Sequence, residues 1–236
     1  MKRTTPTLAL LAALLGSLVA PAHAGRPLQT DDAGVLDRGA CEVEGATASL
    51  KVSGVSARDS SLQLSCGVGA STQLALAASH ASADGSSADG IEFNGKTELW
   101  KGKPVKDDQA AALTLGYAVT SVKVTGDSWR HAATDLNLIY SRPLAGDLTL
   151  HTNLGHSRDE FSNTGSTTWG LAFEHAGFGA WAPMAELFGD DREAAWWNLG
   201  LRFTAVPDKF FVDASYGRQM TGGAPTLWTV GFKVAF

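Results

Sequence analysis

Apolar and polar residues alternate along most of this chain, in short segments separated by turn residues. The last segment shows it best. Trp228, Val230, Phe232, Val234 and Phe236 fall on one face, and Leu227, Thr229, Gly231, Lys233 and Ala235 on the other. Successive side chains of a strand point to opposite faces, so a period of two predicts strands half-buried on one side. The same alternation runs through 112–119, 135–140, 148–155, 168–174, 197–204 and 210–217. It is weaker at 41–50, 60–68, 72–81, 91–100 and, least clearly, 178–187, which brings the total to twelve segments. No long stretch places apolar residues at helical spacing. The expected fold is all-β and antiparallel.

A secreted β-sandwich would alternate too, with its apolar face inward. Three features favour a closed transmembrane β-barrel of about twelve strands, with short periplasmic turns and longer extracellular loops. Counting from a periplasmic amino terminus, the connections at 67–70, 142–147 and 206–209 fall on the periplasmic side and are short. Those at 83–90, 120–128 and 157–165 fall on the other side and are longer and more polar; 101–109 is a long exception. The outward-facing rings also sort by depth. Tyr117, Trp169, Trp197, Tyr216 and Trp228 lie near the extracellular ends of their strands, and Tyr140, Phe203, Phe210 and Phe236 near the periplasmic ends, as interfacial belts require. Finally, the chain ends on an aromatic residue closing its last strand. Phe232, Val234 and Phe236 are similar to the terminal signal that the barrel assembly machinery reads in outer-membrane proteins.

The amino terminus agrees with that destination. Lys2 and Arg3 precede an apolar run from Leu8 to Ala20, and Ala22-His23-Ala24 supplies small residues for cleavage. This is the layout of a secretory signal, so residues 1–24 are expected to be removed. A periplasmic segment (25–39) and the barrel (40–236) follow. Losing Lys2 and Arg3 takes the net charge from −5 to −7, which leaves no basic face for nucleic acid. Export also permits disulfides. If residue i of the first hairpin pairs with 107 − i, Cys41 faces Cys66 and the turn centres on Ser53-Gly54, which predicts a bridge near the periplasmic rim.

The segment Arg26-Pro27-Leu28-Gln29-Thr30-Asp31-Asp32-Ala33-Gly34, followed by Gly39, Glu42 and Glu44, resembles the opening of an outer-membrane family. Its members are labelled putative transporters of the MetA pathway of phenol degradation. That resemblance implies a β-barrel and a transport role linked to aromatic compounds, with no catalytic residues to carry over.

The faces turned inward carry Glu42, Glu44, Glu92, Lys96, Glu98, Asp135, Asn137, His151, Asn153, Glu174, Asn198, Arg202, Asp213 and Lys233. They could line an aqueous path for small solutes. They could equally form a hydrogen-bonded plug, because interior charges must be solvated or paired. Twelve strands lie between the filled interior of eight and the open channel of sixteen. The expected function is a narrow passive channel in the cell outer membrane, its partners being lipid, the assembly machinery and a small solute. The alternatives are a plugged structural barrel and a lipid-modifying enzyme. For the enzyme, His80 and Ser82 share a strand face and His156 adjoins Ser157, but a His beside a Ser in a Ser-rich loop is usually solvated surface. No catalytic residue is therefore assigned. The scattered His and the Asp31-Asp32 and Asp190-Asp191 pairs predict no metal site, and nothing predicts a cofactor.

Overall fold

A computed structural model describes residues 27–104 and 109–236. The expected signal peptide lies outside the described residues. Twelve strands run in chain order: β1 (Cys41–Val52), β2 (Val55–Gly69), β3 (Thr72–Ala83), β4 (Ser86–Lys101), β5 (Ala112–Val124) and β6 (Arg130–Pro143). They continue as β7 (Leu148–Asp159), β8 (Thr164–His175), β9 (Trp181–Asp190), β10 (Trp196–Val206), β11 (Phe210–Gln219) and β12 (Thr226–Ala235). Each pairs antiparallel with its sequence neighbours, and β12 returns to β1 to close the barrel. Cys41 and the terminal Phe236 exchange backbone hydrogen bonds of 2.9 Å at the seam. Closure removes every sheet edge, which hydrocarbon demands because it offers no partner to a free N–H or C=O.

What distinguishes this barrel from a soluble sandwich is which face is covered. Leu76, Leu154, Leu199 and Val230 are each more than half exposed, whereas Glu44, Glu92, Lys96, Asn198 and Asp213 are buried. Apolar residues outside and ionisable ones inside make sense only if the exterior solvent is lipid. No helix among the described residues is long and apolar enough to cross a membrane, so the strands make the crossing.

The first hairpin has the expected register. Cys41 pairs with Cys66, Val43 with Leu64 and Gly45 with Leu62. A Cys41–Cys66 disulfide joins the two strands at the barrel end where β1 begins and β12 finishes. Ser53 and Gly54 both have positive φ (49° and 87°), the backbone that a two-residue hairpin turn requires. At the end away from the termini, Trp197, Tyr216 and Trp228 form a row of ring contacts (5.6 and 4.7 Å). At the other end Trp181 packs on Phe203 at 4.6 Å.

Several details differ from the sequence reading: the connections expected at 120–128 and 157–165 shrink to 125–129 and 160–163. The long connection expected at 83–90 is mostly strand: β3 and β4 run on to a tight turn at Asp84-Gly85, whose positive φ values (47° and 78°) need only two residues. The weakest segment, 178–187, moves towards the carboxyl terminus as Trp181–Asp190, with Phe178 left in an isolated bridge to Trp181.

Candidate functional site

Small residues shape the interior. Residues 27–36, ahead of the first bridge at Arg38, form no strand and lie inside the barrel. The sequence reading gave 25–39 as a periplasmic segment ahead of the barrel; in the structure residues 27–36 are threaded into the barrel interior. This strap fits because β8 and β10 present glycines to it. A Cβ on Gly170 would sit 2.6 Å from Thr30 Oγ1, and one on Gly200 would sit 2.6 Å from Pro27 Cγ. Leu28 packs with Ala172 and Met184, and Ala33 with Ala112 and Ile139, so an apolar side chain anchors the segment on either side of its polar stretch, Gln29 to Asp32.

Side chains of the wall satisfy the strap's backbone. Glu186 accepts the Gln29 N–H (2.8 and 3.0 Å to its two oxygens) and the Thr30 N–H (2.7 Å), and is itself held by Asn198 Nδ2 at 2.7 Å. Asn153 accepts the Asp31 N–H at 2.7 Å and donates to the Asp31 carbonyl at 2.9 Å. Ser141 accepts from the Ala33 N–H, and Thr114 donates to the Ala33 carbonyl, both at 2.8 Å. Gln73 accepts the Leu36 N–H at 3.0 Å. Lys96, buried on β4, donates to Asp31 Oδ1 at 3.1 Å and to the Asp32 carbonyl at 2.9 Å. Burial of an ion pair is costly unless its remaining hydrogen bonds are made, and here the Asp32 carbonyl accepts one of them from Lys96.

The Asp32 carboxyl feels burial, which raises its pKa, against Lys96, His151, Lys233 and the Gly34 N–H, which lower it. The cations prevail, and it is held at about 2.

The fourteen expected interior residues all lie on the face opposite the exposed apolar one, but in separate groups. Lys96 and Asn153 bind the strap directly, and Asn137 (3.0 Å to Asn153) and Asn198 hold the residues that do. His151 bonds Ser141 at 2.8 Å and lies 4.0 Å from Glu174, which pairs with Arg202 at 3.1 Å. Lys233 bridges Glu42 and Glu44 across the seam at 3.0 and 3.3 Å. Glu92 bonds Asn94 and Thr120 at 2.8 and 3.1 Å. Asp213 is buried opposite Arg202 in the β10–β11 register, and Asp135 is half-buried opposite Ala118. Glu98, with Lys101 and Gln109, lines a recess of about 310 Å³ beside Ala33 and Gly34.

Sequence reasoning missed Glu186 and the strap itself. The broken alternation of the 178–187 segment hid the first. For the strap, the available signal was two adjacent carboxylates between Leu28 and Ala33, in a segment without period. Towards the β1–β2 turn the interior instead holds an apolar cluster of Leu50, Ala57, Ala81, Ala83, Ala88, Val122 and Ala132.

A family model described as Uncharacterised conserved protein UCP029691 matches residues 11–236. No curated protein matches. Among solved structures, a KdgM porin in complex with disordered oligogalacturonate is similar at 11% identity and TM-score 0.62, covering 83% of this chain and 99% of its own. The COG4313 outer membrane channel from Pseudomonas putida F1 is similar at 13% identity and TM-score 0.59, over 87% and 98%. The NanC porin is similar at 10% identity and TM-score 0.56, over 81% and 98%. At these identities the likeness is one of fold. With the apolar exterior, it makes this an outer-membrane barrel.

Proposed function

We propose, for a chain that belongs to the family described as Uncharacterised conserved protein UCP029691, that the barrel is a passive channel for small solutes with a removable constriction. The observation that carries this reading is the way the strap is held. The hydrogen bonds that hold Gln29 to Leu36 inside the barrel run to wall side chains, from the strap backbone and from the Asp31 carboxylate, and none belongs to the sheet ladder. The strap can therefore leave without breaking a strand pairing. Its departure would expose Glu186, Lys96, Asn153 and Ser141 as a polar path. Several structures sharing the fold are named as porins or channels. The link to aromatic solutes rests on the resemblance carried by Arg26 to Gly34. Export through residues 1–24, and assembly through Phe232, Val234 and Phe236, complete the proposal.

The same contacts favour a second reading, a plugged barrel without transport. Planar-bilayer conductance of the mature protein and of a variant lacking residues 27–36 separates the two. A channel gives small or brief steps in the first and larger, steadier steps in the second. A folded barrel that gives no steps in either form is a structural plug.

A further inference from the structure

One of the exterior polar groups spans β3 and β4. On β3, His80 and Ser82 face outward two residues apart, and the register places Asp89 of β4 directly opposite His80. His80 Nδ1 and Asp89 Oδ1 are 2.7 Å apart, and both side chains are more than half exposed. We propose that Ser82, His80 and Asp89 form a lipid-facing hydrolytic site that cleaves acyl esters of phosphate-bearing lipids. The inference does not depend on whether the lumen conducts.

Depth and surroundings support it. One same-face step towards the barrel middle, Ala78 pairs with Leu62 on β2 and Ile91 on β4, both exposed and apolar. The group therefore sits where the apolar band ends, at the level of lipid ester linkages rather than of the acyl tails. Arg58 lies directly opposite Ser82, and Lys123 directly opposite Asp89, so two cations flank the site where an anionic headgroup would rest. A rise of about 3.3 Å per residue separates the His80 and Ser82 backbones by about 7 Å, a gap that an imidazole ring can reach across. With Nδ1 donating to the Asp89 carboxylate, Nε2 is the free basic nitrogen. Ser60, directly opposite His80, is occupied instead with Thr47 at 3.1 Å.

The chemistry needs only water. Ser82 Oγ attacks the acyl carbon while its proton passes to His80 Nε2. The C–O ester bond then breaks, and that proton goes to the departing lipid alkoxide, leaving an acyl-serine. Water attacks the acyl-serine, giving a proton to Nε2, and Oγ leaves with that proton as the free fatty acid forms. Asp89 touches no reacting atom; it is a positioning residue that fixes the ring and stabilises the imidazolium.

The test uses the full mature barrel in vesicles, with folding checked by heat-dependent gel mobility. Two probes are applied: an alkyl fluorophosphonate, and acyl release from phosphatidylglycerol vesicles or from lipopolysaccharide. The expected result is labelling at Ser82 that is lost in Ser82→Ala and His80→Ala, with hydrolysis falling about 1,000-fold. The lipid that is cleaved identifies the source of the ester. Asp89→Asn should lower kcat roughly tenfold or more, leave KM unchanged and alter the pH profile, whereas Ser60→Ala should match the parent. The proposal is overturned if a folded barrel shows neither labelling nor acyl release. It is equally overturned if Ser82→Ala retains activity or Ser60→Ala abolishes it.

Discussion

Replacing Glu186 with Ala tests whether the strap is held as one unit. The carboxylate receives the Gln29 and Thr30 amides at 2.7–3.0 Å and is buried, with 4% of its surface exposed. A hydrogen bond to a charged group contributes about 1.5–3 kcal/mol, so losing two costs the inserted strap about 3–6 kcal/mol. The released amides regain water, so the lower end applies. At about 1.4 kcal/mol per tenfold change, the withdrawn population should rise about a hundredfold. Amide hydrogen exchange reads this residue by residue. Gln29 and Thr30 lose their acceptor directly and are uninformative; Asp31, Ala33 and Leu36 keep theirs, in Asn153, Ser141 and Gln73. If the strap leaves as a unit, all three should exchange about a hundredfold faster while the strand amides keep their protection. Acceleration confined to Gln29 and Thr30 would show independent local contacts and refute the reasoning.

Other outcomes follow from the same geometry. Gly170→Val puts a side chain where Thr30 now lies, 2.6 Å from the position of a Cβ, so it should expel the strap and raise steady conductance without unfolding the barrel. Removing the disulfide with Cys41→Ser and Cys66→Ser should lower stability by up to about 3 kcal/mol, seen as an earlier urea transition in detergent. Acid should loosen the strap late. The Asp32 carboxyl is held near 2 rather than 3.8, so its stabilisation is complete above about 3.8 and disappears as pH falls through about 2. The Asp32 share of this stability, read as the difference in open probability between the parent and Asp32→Asn, should therefore stay constant from neutral pH to about 4 and shrink only below it; a difference that shrinks between pH 7 and 5 would contradict the assignment.

Much of the barrel is legible in the chain because strand physics is local. A period of two fixes which side chains share a face, so Leu199, Leu201 and Phe203 could be assigned outward and Asn198 and Arg202 inward from spacing alone. The 107 − i register followed from a turn dipeptide and two cysteines. These are all short-range relations, and each survives in the structure. The strap is different. Residues 27–36 have no period to read, and their polar stretch with two adjacent carboxylates would be equally at home in water. Its place depends on Lys96, 65 residues from Asp31, on Asn153, 122 residues away, and on Glu186, 157 residues from Gln29. It depends also on glycines at 170 and 200, whose missing side chains signify room only once the opposite wall is known. The same holds for Asp89, which became His80's partner only when the hairpin turn was placed at Asp84-Gly85. Local alternation therefore determined the wall. Closure of the barrel decided what the wall encloses, because only closure brings distant inward charges within hydrogen-bonding reach of one segment.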